Sequence, residues 1–89
     1  PALTNYPNPF NPETQISFRL PNAGPVDLRV FNLLGQEVRR LVSGELTAGE
    51  HTTLWDGRDA DGLRVASGIY FYRLETPGFK KTKRMLLLK

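Results

Sequence analysis

Residues 67–88 read SGIYFYRLETPGFKKTKRMLLL, and their pattern decides the fold. From Ile69 to Leu74 the side chains alternate, so Tyr70 and Tyr72 take one side of an extended chain and Phe71 the other. Aromatic and β-branched residues of this kind fit a pleated, half-buried surface. Thr76-Pro77-Gly78 is a hairpin turn. The chain then returns through Lys80–Leu88, with Met85 and Leu87 facing one way and Leu86 and Leu88 the other. A strand hairpin, and no helix, follows from this stretch.

Working outward, the same grammar repeats. His51–Trp55 is a strand of β formers, and Asp56–Gly62 (DGRDADG) is a loop dense in turn residues. Gln36–Val42 reads as a strand with Val38 as its clearest apolar position, and Ser43-Gly44 is expected to end it. Val26, Leu28 and Val30 alternate with Asp27, Arg29 and Phe31. Asn32-Leu33-Leu34-Gly35 closes that strand, Gly35 supplying the positive φ such a turn often needs. Thr14–Leu20 alternates with Ile16, Phe18 and Leu20 on one face, and Pro21–Pro25 is a turn cluster. Residues 1–12 hold four prolines, which stiffen the chain into an extended lead-in. Tyr6 and Phe10 are expected to dock that lead-in on the core. The whole predicts an all-β, immunoglobulin-like antiparallel β-sandwich of about seven strands in a single domain over residues 1–89.

Composition bounds what such a domain does. The 89 residues include no Cys and a single His, which excludes disulfides, thiolate chemistry and a multi-His metal site. The longest apolar run, Met85–Leu88, is far short of the roughly 20 residues a membrane helix needs. The formal charge of +3 is uneven. Lys80, Lys81, Lys83, Arg84 and Lys89 carry five positive charges in the last ten residues, while the first 79 hold seven bases and all nine acids, a net of −2. No aromatic is interleaved with the tail bases as a single-strand stacking platform requires, so nucleic acid is not an expected partner. A charged, solubilising edge strand accounts for them. The chain starts at Pro1 without Met and reads as a piece of a longer protein, with any export signal upstream.

Four constellations bear on chemistry. Asp56, Asp59 and Asp61 precede Gly62, but calcium-loop spacing would put Gly57 and Gly68 at ligand positions, so Asp side chains capping backbone N–H groups are the better reading. His51 has no nucleophile beside it, since Ser17, Ser43 and Ser67 sit in no nucleophile-elbow pattern. Tyr6, Trp55, Tyr70, Phe71 and Tyr72 could stack on sugars, but a small sandwich needs such side chains for its core, and Trp55 at a strand end reads as a core plug. Arg39 and Arg40 are adjacent on a strand and so point to opposite faces. No catalytic residue, metal site or cofactor follows.

Several segments together resemble a known family. Tyr6-Pro7-Asn8-Pro9-Phe10-Asn11-Pro12, followed by Thr14-x-Ile16-x-Phe18-x-Leu20-Pro21, is similar to the opening of the C-terminal sorting domains of the type IX secretion system. So are Val30-Phe31-Asn32-x-x-Gly35-x-x-Val38, Gly49-x-His51, Trp55-Asp56-Gly57, Ser67-Gly68-Ile69-Tyr70 and Lys83–Lys89. Where that family often carries Lys-Met near its end, this chain has Arg84-Met85, which keeps the charge. Trp55–Tyr70 also resembles the immunoglobulin-like domain of flagellar hook-capping proteins.

The resemblance implies a non-catalytic domain at the C-terminus of a secreted parent, such as a hydrolase. It would be exported through the periplasm, recognised by outer-membrane secretion machinery and attached at the cell surface, with anionic lipopolysaccharide and the parent's upstream domains as its other partners. It assigns recognition to Ser67, Gly68, Tyr70, Lys83, Arg84, Met85 and Lys89. The alternatives are a carbohydrate-binding module, a structural spacer of a polysaccharide hydrolase, or the hook-capping-like domain of an assembly scaffold.

Overall fold

The computed structural model describes residues 2–89; Pro1, the first residue of the expected lead-in, lies outside the described residues. Seven strands follow one another: β1 (Leu3–Tyr6), β2 (Thr14–Leu20), β3 (Gly24–Phe31), β4 (Glu37–Leu46), β5 (Gly49–Trp55), β6 (Gly68–Thr76) and β7 (Phe79–Leu87). They form a three-stranded sheet in the order β1-β2-β5 and a four-stranded sheet in the order β4-β3-β6-β7, with every pairing antiparallel. There is no helix among the described residues. The all-β, immunoglobulin-like sandwich expected from alternation is the architecture observed.

Alternation sorts the core. Ile16, Phe18 and Leu20 of β2 turn inward to meet Val26, Leu28 and Val30 of β3 and Tyr70, Tyr72 and Leu74 of β6. Met85 and Leu87 of β7 join them, and Trp55 and Phe10 plug one end. Trp55 is fully buried, edge-on to Tyr70 at 5.3 Å between ring centroids and tilted against Phe10 at 5.7 Å. Its Nε1–H donates to Arg58 O at 3.0 Å.

Three local expectations are corrected. The lead-in contains a strand, β1, whose Leu3 is buried. Phe10 docks on the core as expected, but Tyr6, placed cross-strand from the solvent-facing Gln15, is 81% exposed. Ser43-Gly44 does not end β4: Asp27 pairs with Ser43 and Val26 with Gly44, and the strand continues to Leu46. Cross-strand pairing outweighs the weak β preference of those two residues. Gly24 and Pro25 open β3 instead of completing the turn.

The loop after Trp55 is pinned at Gly57. Its φ is +74°, and a Cβ there would lie 2.9 Å from the carbonyl oxygen of Pro12. Only glycine allows the loop to approach the β1–β2 connection this closely.

Candidate functional site

Period two divides the seven residues assigned to recognition between the interior and the surface. Tyr70 and Met85 are core residues, 6% and 1% exposed, and form a cross-strand pair. The Tyr70 hydroxyl donates to Ala66 O at 2.6 Å, which ties the start of β6 to the loop before it. Burial raises the pKa of Tyr70. Ser67 is exposed, and Gly68 opens β6 opposite Leu87. Lys83 lies on the inward register, opposite Tyr72, at the open side of the sandwich, and its Nζ donates to Leu3 O at 2.8 Å. Arg84, one residue on, stands on the outer face opposite Phe71, exposed and with no ion pair among the described residues. Lys89 is exposed at the end of the chain. Ser67, Arg84 and Lys89 are thus the exposed members of the set, while Tyr70 and Met85 belong to the core.

The last strand is the edge of the four-stranded sheet, but part of it is already covered. Leu86 N–H donates to Asn8 Oδ1 at 3.1 Å, Phe10 N–H donates to Leu86 O at 3.0 Å, and Leu88 N–H donates to Phe10 O at 2.9 Å. The proline-rich segment therefore closes the end of β7. By period two the outward backbone groups of Lys80, Thr82 and Arg84 face the same side, and among the described residues nothing pairs with them. Asn8 and the Phe10 backbone were not legible as partners of β7, because the contacts join residues more than seventy positions apart and no local pattern marks them. Leu3 had a weak signal, an apolar residue in an extended run, obscured by the neighbouring prolines.

The other constellations are structural. Asp59 Oδ1 accepts from Asp61 N–H and Leu63 N–H, at 2.9 and 3.0 Å, and Asp56 Oδ1 accepts from Arg58 N–H at 3.1 Å. Among the described residues no group of three or more His, Cys, Asp or Glu is arranged to hold a metal. The His51 ring stacks on Phe18, and its Nε2–H donates to Thr47 O at 2.7 Å. Arg39 reaches Asp56 Oδ1 at 3.3 Å, whereas Arg40 pairs with Asp27 on the outer face. Of the aromatic set, Trp55, Tyr70 and Tyr72 are buried and offer no platform for a sugar ring, whereas Tyr6 is exposed and Phe71 half-buried, on different sheets.

Two antiparallel sheets in this order, closed at one end by a buried tryptophan, define the class: a small immunoglobulin-like sandwich module. The chain belongs to the FlgD Ig-like domain family, whose model matches residues 5–77. A 36-residue stretch, 40% of the chain, is 53% identical to the basal-body rod modification protein FlgD of Salmonella typhimurium and spans 16% of that protein's length.

Among solved structures, PorZ of Porphyromonas gingivalis, described as an essential bacterial surface component of the type-IX secretion system, matches with a TM-score of 0.67 and 26% identity. That match covers 99% of this chain and 12% of PorZ. Latent PorU of the same organism shares the fold, with a TM-score of 0.75 at 18% identity over 97% of this chain and 9% of its own. FlgD of Xanthomonas campestris, whose structure is linked to hook capping in flagellar assembly, matches with a TM-score of 0.65 and 26% identity over 97% of this chain and 63% of its own.

Proposed function

We propose that this domain is a non-catalytic module that directs a parent protein across the outer membrane and holds it at the cell surface. It forms the C-terminal domain of that parent, a secreted hydrolase. The observation that carries the reading is the likeness to PorZ along 99% of the chain at 26% identity. The motifs shared with type IX sorting domains, at both ends of the chain, support it further. Recognition by outer-membrane machinery uses Ser67, Arg84 and Lys89 at the surface, with Gly68, Tyr70, Lys83 and Met85 holding the strands that present them; the tail's charge suits anionic lipopolysaccharide.

The test is a fusion of residues 1–89 behind a periplasmic reporter in a host that has type IX machinery. The wild-type fusion reaches the cell surface, and Arg84→Glu with Lys89→Glu holds it in the periplasm. Deleting Arg84–Lys89 is the wrong control, because it removes Met85 and Leu87 from the core and the partners of Phe10. A folded wild-type domain that leaves its reporter in the periplasm overturns the reading.

A second reading rests on the 53% identity to FlgD over 36 residues: a building block of a flagellar type of assembly. In that case the fusion stays in the periplasm and the domain works only when placed within its own parent.

A further inference from the structure

The outer face of the four-stranded sheet is divided in two. In one half, the rows are Asp27 opposite Glu75 and Arg29 opposite Arg73, with Arg40 beside Arg29 on β4. These charges are satisfied internally. Arg29 pairs with Asp27 at 2.7 Å and with Glu37 at 3.1 Å, Arg40 also pairs with Asp27, and Arg73 pairs with Glu75 at 2.9 Å. In the other half, the same register gives Phe31 opposite Phe71 opposite Arg84, then Ile69 opposite Leu86. Ile69 is 37% exposed, and Leu33, in the turn directly after β3, is 68% exposed. An outward strand position in a solvated sheet is ordinarily polar. Here four such positions are large and apolar, and the single charge among them, Arg84, is unpaired.

The patch has relief as well as composition. Asn8, Ile69, Arg84, Met85 and Leu86 line an open cleft of about 190 Å³. A cavity of roughly 150 Å³ seats a benzene ring, so one large side chain fits. The guanidinium of Arg73 lies over the Phe31 ring at 4.4 Å from its centroid, which closes the patch on the side of the charged half. The Leu86 backbone is already taken by Asn8 and Phe10, so a ligand here is held by side chains and not by strand addition.

We propose that this apolar half-face is a docking surface for a segment of a partner protein that presents a large apolar side chain beside a carboxylate. The apolar group enters the cleft between Ile69 and Leu86, and the carboxylate meets Arg84. A second copy of this chain fits less well, because the carboxylates of this face, Asp27, Glu37 and Glu75, are already paired and none is free to meet Arg84. The inference goes beyond the export reading and stands without it, since it concerns binding by the isolated chain.

The test is amide chemical-shift mapping on the 89-residue chain with three short synthetic peptides. One carries Leu-Glu pairs spaced by Ser-Gly, the second has Lys in place of Glu, and the third has Ser in place of Leu. The Leu-Glu peptide shifts Ile69, Phe71, Arg84 and Leu86, and the other two do not. Arg84→Glu weakens the Leu-Glu peptide about tenfold, the worth of one charge-assisted contact, and transfers preference to the Leu-Lys peptide. Ile69→Ser loses both, and Lys80→Glu, on the charged half, changes neither. Thermal melts confirm that the variants are folded. The proposal fails if no peptide binds at millimolar concentration, if Leu-Glu and Leu-Lys bind alike, if the shifts fall on another face, or if the patch is occupied by self-association.

Discussion

Trp55 offers the sharpest test of how this small core is built. Its side chain is fully buried, and it makes two aromatic contacts, to Tyr70 and Phe10. Each such pair contributes about 0.5–1.5 kcal/mol beyond its buried area. The indole N–H bond to Arg58 O adds about 0.5–1.5 kcal/mol. That oxygen also accepts from Arg39 Nη1 at 3.2 Å, so removing the indole does not orphan it. Trp55→Ala therefore costs about 3–5 kcal/mol, the range for deleting a buried aromatic. An 89-residue domain holds roughly 4–13 kcal/mol in all. A loss of each kcal/mol lowers the midpoint by about 4–8 °C in a domain of this size, so the melting temperature falls by more than ten degrees.

The assay is far-UV circular dichroism during heating, which does not depend on the fluorophore being removed. Trp55→Phe keeps a ring between Tyr70 and Phe10 but loses the N–H and some area, and costs about 1–2 kcal/mol. The order wild type, Phe, Ala in melting temperature is the expected result. An Ala variant that melts within a few degrees of the wild type, or a Phe variant as damaged as Ala, refutes the account of Trp55 as the end plug of the sandwich.

The remaining predictions concern backbone and charge. Gly57→Ala forces a Cβ to 2.9 Å from Pro12 O at a φ of +74° and costs about 2–3 kcal/mol in urea denaturation. Gly24→Ala, with open space around it and no positive φ, is the control that leaves the urea midpoint nearly unchanged. The hydrogen bonds from Arg29, then those from Arg40, hold the Asp27 carboxyl below its ordinary value of 3.8. The stability this pair supplies is complete above that value and is lost as pH falls through the lower folded-state value, so Asp27→Asn flattens the acid limb of a stability profile. Burial pushes the Tyr72 hydroxyl from 10.0 up to about 12. Its contribution is present below pH 10 and disappears as pH rises towards 12, a dependence that Tyr72→Phe removes in alkaline melts.

Legibility followed the strength of local alternation. The β6–β7 hairpin was readable because Tyr70, Tyr72, Met85 and Leu87 alternate cleanly with outward residues over two full strands, and every inward assignment there holds. β1 was not, because four residues are too few for a period to declare itself beside so many prolines. β4 ran past its expected end because its pairing with β3, not its own composition, carries Ser43 and Gly44. It is also bulged: Leu28 pairs with Val42 but Arg29 with Arg40, which leaves Leu41 unmatched and hides the strand's period. For the candidate site, period two separated Lys83 from Arg84 and Tyr70 from Ile69. Which of the outward positions join into one surface depends on register between strands, and β3 ends at Phe31 while β6 begins only at Gly68.

The treatment of the sheet edges argues for recognition by a face. An open edge invites indiscriminate strand addition, and natural sandwiches blunt it with bulges, charges or a covering segment. β4 carries register shifts at Leu28/Arg29 and Val30/Phe31. β7 is covered at one end by Asn8 and Phe10, and elsewhere bears Lys80, Lys81 and Lys83, the last tied to the backbone of β1. Strand addition is thus discouraged on both flanks of the four-stranded sheet, although the outward backbone groups of Lys80, Thr82 and Arg84 stay unpaired. Ile69 and Arg84 are exposed and Phe71 and Leu86 half-buried, between the blunted edges and beside a half whose Arg29, Arg40 and Arg73 are already paired. Side chains discriminate where backbone does not, since a mismatched partner leaves Arg84 desolvated and unpaired. A fold that protects its edges this way yet leaves this face uncovered is suited to a selective partner.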